Sequence, residues 1–64
     1  MDTQNNMIRV VIADASETLR LTLKDEIEAV GTFTVVGSTG DGREALRLVE
    51  QENPQLLLRQ HRTT

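Results

Sequence analysis

Glycines at 37, 40 and 42 enclose Ser38, Thr39 and Asp41, a spacing that superficially matches a loop built to cradle phosphate. Such a loop needs a lysine and a hydroxyl residue directly after it. Arg43 and Glu44 stand there instead, and a carboxylate at that point repels phosphate. The segment therefore reads as a turn feeding a helix start, with Gly40 and Gly42 serving backbone geometry. Asp14 and Ser16 each carry oxygen suited to accept from the free amides of a helix start. His61 is the only histidine and there is no cysteine, so no paired-histidine metal site, thiolate site or disulfide is available. Leu56, Leu57 and Leu58, followed by Arg59, are the remaining candidates, readable as a buried strand or as an apolar edge offered to a partner.

The elements that must position these residues follow from periodicity. Ile8 to Ala13 is β-branched and nearly continuous in apolar character, as in a parallel strand covered on both faces. Leu19, Leu23, Ile27 and Val30 then recur at helical spacing and form one stripe. Asp14 and Glu17 have the spacing of a capping box, Lys24 and Glu28 are placed to pair four apart, and Gly31 supplies a stop. Thr32 to Gly37 has strand composition, with Phe33 and Val35 on one face and Thr34 and Val36 on the other. A second helix is expected from about Asp41 to Glu52, with Ala45, Leu46, Leu48 and Val49 as its apolar positions. Asn53-Pro54 ends it, and Gln55 to Leu58 forms a third strand. Two strand–helix–strand units in series imply right-handed crossovers, so the expected fold is α/β, with a three-stranded parallel sheet of order 2-1-3 and helices on opposite faces.

Size and charge bound the functions. Sixty-four residues allow one small domain, expected over 7–60 between polar tails at 1–6 and 61–64. A core this small is marginal without staples, which favours association. Residues 1–42 hold seven acids against three bases, a balance of −4, and residues 43–64 hold four arginines against three glutamates, a balance of +1. No basic stripe with interleaved aromatics is present, so nucleic-acid binding by this segment is not expected. No apolar run approaches the ~18 residues that suggest a membrane span, and the polar start lacks a secretory layout, so a cytoplasmic, membrane-free protein is expected.

Taken together, Ile8-Arg-Val-Val-Ile-Ala-Asp14, Leu19-Arg20 with Leu23, Phe33-Thr-Val-Val-Gly37, Gly40-Asp-Gly-Arg-Glu-Ala-Leu46 and Asn53-Pro54-Gln-Leu-Leu-Leu58 resemble a bacterial response-regulator receiver domain. The resemblance spans nearly all of 7–60 and is nearest to receivers that precede helix-turn-helix output domains. It implies half of a flavodoxin-like fold, ending where the family continues. The family's acidic pair after the first strand is reduced to Asp14 followed by Ala15, and the phosphoacceptor position falls at Gln60. An amide cannot form an acyl phosphate, and magnesium prefers a hard, anionic oxygen cage. Asp14 is thus at most a vestigial, weak magnesium ligand, with a helix-capping role preferred. No cofactor, catalytic residue or phosphoacceptor is expected.

Two functions follow from the resemblance. The first is a non-phosphorylatable association module of a two-component signalling system, which is not an enzyme. Leu56, Leu57, Leu58 and Arg59 would form its surface, either for a homodimer made through the third strand or by swapping, or for pairing with a full-length regulator or sensor histidine kinase. The second is a phosphorylation-dependent receiver fragment serving transcription regulation, whose remaining half is missing or supplied by another chain. Arg59 to Thr64 reads as a solvated basic end, the alternative being contact with an acidic partner surface.

Overall fold

The computed structural model describes residues 7–59; the tails expected at 1–6 and 61–64, together with Gln60, lie outside them. The order is β1 (Ile8–Ala13), α1 (Glu17–Val30), β2 (Phe33–Thr39), α2 (Gly42–Glu52) and β3 (Leu56–Arg59). The strands form one parallel sheet in the order β2-β1-β3, as the crossover rule predicts. β1 is central and is covered on both faces. Val10, Val11 and Ile12 have no exposed surface, and Ala45 of α2 completes the core.

The helices take opposite faces. Leu58, paired with Ile12, borders the same cavity as Leu19 and Leu23 of α1. Leu57, paired with Val11, borders another with Ala45, Leu46 and Val49 of α2. The α1 stripe is shorter than periodicity suggests. Leu19, Leu23 and Ile27 are half-buried, whereas Val30 ends the helix 64% exposed.

Local chemistry sets the boundaries. α1 begins at Ser16, whose hydroxyl accepts from the Leu19 amide at 3.2 Å in extended backbone (ψ 115°). The capping box expected between Asp14 and Glu17 is therefore not formed. Gly31 ends α1 in the left-handed region at φ 87°. α2 is capped by Asp41, whose carboxylate accepts from the Arg43 amide at 2.9 Å. It closes on Asn53, which adopts the left-handed conformation itself (φ 49°) before Pro54.

β2 runs to Thr39, two residues beyond the expected end. Its pairing with β1 steps between Val10 and Val11: Val10 pairs with Val35 and Val11 with Gly37, so Val36 is skipped. This bulge brings Gly37 under α2, where a Cβ would sit 3.1 Å from both Leu48 methyls. β3 is displaced one residue from expectation. The Gln55 amide donates to the Arg9 carbonyl at 2.9 Å while its side-chain Oε1 accepts from the Arg9 amide at 3.1 Å. That bend starts the ladder at Leu56. Arg59, read as the start of a tail, pairs with Ala13 instead.

Candidate functional site

Two places at or beside the sheet could carry function: the corner after β1 and the free side of β3. The corner is built by two loops held against each other. The Asp14 amide donates to the Thr39 carbonyl at 3.0 Å, and the Arg20 guanidinium donates to the Asp14 carbonyl. Gly40 packs into this junction, where a Cβ would lie 2.7 Å from Arg20 Nη1 and 3.3 Å from the Asp14 carbonyl oxygen. Thr39 is buried; its hydroxyl donates to Glu44 Oε1 at 2.9 Å and accepts from the Asp41 amide at 3.1 Å. The Glu44 carboxylate thus takes the loop's hydroxyl and sets a negative charge beside it, and Gly37 belongs to β2. The phosphate-loop reading has no geometric basis.

Asp14 is 8% exposed. Its Oδ1 accepts from the Ser16 amide at 2.8 Å, so it braces the turn before α1 and does not cap the helix, which is a correction to the preferred reading. Oδ2 is buried and has no hydrogen-bond partner among the described residues. A small cavity of about 160 Å³ adjoins it, bordered by Ala15, Gly40, Asp41 and Arg59. Magnesium asks for a near-octahedral oxygen set. Asp14 offers one unengaged oxygen, Asp41 already caps α2, and Arg59 brings a cation. Among the described residues no group of three or more His, Cys, Asp or Glu could hold a metal ion. The described residues do not fit magnesium.

The free side of β3 is a different kind of surface. Leu56 and Leu57 are 40% and 38% exposed, and among the described residues β3 pairs only with β1. A groove of about 310 Å³ lies between β3 and α1, walled by Leu19, Leu23, Leu58 and Asp14. A second, of about 280 Å³, lies between β3 and α2, where Leu46 is 66% exposed beside Leu57. Arg59 borders both grooves and makes no ion pair among the described residues, the pair there being Arg9–Glu52 at 3.0 Å. The structure therefore brings the four expected contact residues to one edge and leaves Asp14 behind the first groove.

The sequence reading missed Arg9. Its guanidinium donates to the Glu52 carbonyl and carboxylate and, at 3.5 Å, to the Asn53 carbonyl, tying the start of β1 to the end of α2. A lone arginine in an apolar strand was the available signal. It also missed Glu28, whose Oε2 accepts from the Val35 amide at 3.2 Å on the outer side of β2 instead of pairing with Lys24. No helix of the described residues is long and apolar enough to cross a membrane. Comparison with protein-family models, curated proteins and solved structures finds no match to the chain.

Proposed function

We propose that this chain is a receiver-like association module of a two-component signalling system that does not accept phosphate. In this reading it is half of a flavodoxin-like fold working in the cytoplasm, and it acts by joining its bare third strand to another copy, a full-length regulator or a sensor kinase. The motif resemblance over 7–60 supports the family. One observation carries the mode of action: among the described residues, β3 presents an unpaired edge with apolar grooves on both of its faces.

Magnitudes decide how strong such association is. Burying a leucine completely is worth about 1.5–3 kcal/mol, so each half-exposed Leu46, Leu56 and Leu57 adds about 1 kcal/mol on being covered. Two copies gain roughly 6 kcal/mol, against an association cost of about 4–15 kcal/mol. Backbone pairing must supply the rest, and the assembly is weak and concentration-dependent. Light scattering across a dilution series is expected to show mass falling as the protein is diluted. A sharply melting monomer at every concentration refutes the reading.

The orphaned Asp14 Oδ2 favours one competitor: a phosphorylation-dependent receiver whose remaining site groups come from another chain. Acetyl phosphate or beryllofluoride with magnesium then changes the assembly or labels the chain. On the proposed reading neither occurs.

A further inference from the structure

The two sides of the sheet are not equivalent, and this determines the geometry of association. On β2 the outward-facing Val35 amide is occupied by the Glu28 carboxylate, and the bulge at Val36 breaks the edge one residue later. An incoming strand finds its acceptor position filled and no straight ladder to follow. On β3 nothing comparable occurs among the described residues. The Gln55 amide points inward, to the Arg9 carbonyl. The Ile8 and Asp14 amides point to β2, so Val11 turns its backbone groups toward β3; Leu57, opposite Val11 and past the bend at Gln55, therefore turns its amide and carbonyl to the open side, while Leu56 and Leu58 pair with β1.

We propose that the occupant of this edge is a second copy of the same strand, running antiparallel about a two-fold axis that passes through Leu57. The proposal rests on the association reading and adds its partner and register. Three observations select it. The first is hydrogen bonding: with Leu57 opposite its own counterpart, the outward amide of each Leu57 donates to the outward carbonyl of the other, and Leu56 faces Leu58 of the second copy as a non-hydrogen-bonded pair. The second is symmetry. A two-fold perpendicular to the sheet keeps α2 on the same face in both copies, and directly opposed residues must share a face. Only registers centred on a residue satisfy both conditions, and the Leu57-centred one uses Gln55 to Arg59 alone. The third is charge. This register sets Arg59 against Gln55 of the second copy, next to the end of that copy's α2. Glu50 and Glu52 stand there; Arg9 already pairs with Glu52, which leaves Glu50 as the carboxylate for Arg59 of the second copy. Arg59 and Leu57 lie on the α2 face, so the cation and the acidic helix end meet on the same side.

The consequence is a closed pair with six strands in the order 2-1-3-3-1-2, whose two outer edges are both the plugged β2. A head-to-tail arrangement, β3 on β2, would grow without limit.

Natural absence of cysteine makes the test direct. In the proposed register the two Leu57 residues form a hydrogen-bonded pair, with Cα atoms about 5.5 Å apart, within disulfide range. Leu57→Cys is expected to oxidise to a covalent dimer under mild oxidant, whereas Thr34→Cys on β2 stays monomeric on a denaturing gel. An equimolar mixture of the two variants should yield Leu57–Leu57 links almost exclusively. Links chiefly between Leu57→Cys and Thr34→Cys, or none above the Thr34→Cys background, overturn the geometry. Hydrogen exchange on the unaltered protein gives an independent readout that does not depend on a variant folding. The Leu57 and Arg59 amides should exchange at least tenfold more slowly at high than at low concentration, with Phe33 and Val35 unchanged. Concentration-dependent protection on β2 refutes the proposal. Glu28→Ala, which removes the plug, should raise the mass beyond the dimer; a mass that stays dimeric removes Glu28 from the account. If light scattering shows association but these patterns fail, the register is wrong and the module reading stands. If no association occurs, the module reading itself fails.

Discussion

At the scale of single residues, polar side chains here serve mainly to begin and end elements. Ser16 satisfies the third amide of α1, and Asp14 holds the Ser16 amide in the turn before it. Ser16→Ala is expected to cost about 1 kcal/mol, read as a lower urea midpoint with an unchanged slope. Both residues were visible as acceptors in the sequence. Which one caps was not, because Asp14 with Glu17 and Ser16 with Leu19 share the same spacing. The choice depends on backbone torsion, which composition does not encode. Gly31 illustrates the opposite case: its left-handed φ of 87° is what a glycine after an apolar stripe implies, and a Cβ there would meet no atom within 4 Å. Gly31→Ala should therefore destabilise by about 1 kcal/mol through strain alone, with no steric clash.

At the scale of elements, β1, both helices and the strand order were legible because each follows from apolar periodicity and crossover handedness. The details of β2 and β3 were not. The bulge at Val36 goes with packing between Gly37 and Leu48, residues eleven apart that no local pattern links. The one-residue displacement of β3 comes from Arg9 and Gln55, which meet only once the sheet exists. Arg9 is the clearest tie between elements, since it places a cation on the last carbonyls of α2. Its ion pair with Glu52 is about 40% exposed on both sides, so the charge itself contributes little. Arg9→Met, which keeps the apolar stem, is expected to lose about 1 kcal/mol, seen as faster amide exchange in the last turn of α2 and at the start of β3.

At the scale of the whole molecule, the proposed pair would make stability and assembly one equilibrium. For a protein of this size joined in pairs, a tenfold rise in concentration adds about 1.4 kcal/mol and should raise the melting temperature by roughly 5 °C. A melting temperature independent of concentration contradicts the dimer. The sequence made this surface legible through three consecutive leucines. It did not show that one sheet edge is blocked and the other open, because that difference depends on a glutamate reaching from a helix to a strand seven residues on. The position of β1 has a further consequence, for biosynthesis. The strand that leaves the ribosome first is the one that finishes in the middle, with Val10, Val11 and Ile12 sealed from water. Its second neighbour is not made until nearly fifty residues later, a wait of about 2–10 s at ordinary translation rates. Throughout that interval α1 and β2 can cover only one face and one edge of β1, so the nascent chain carries part of its most apolar segment bare and would gain from shielding by a chaperone near the exit tunnel.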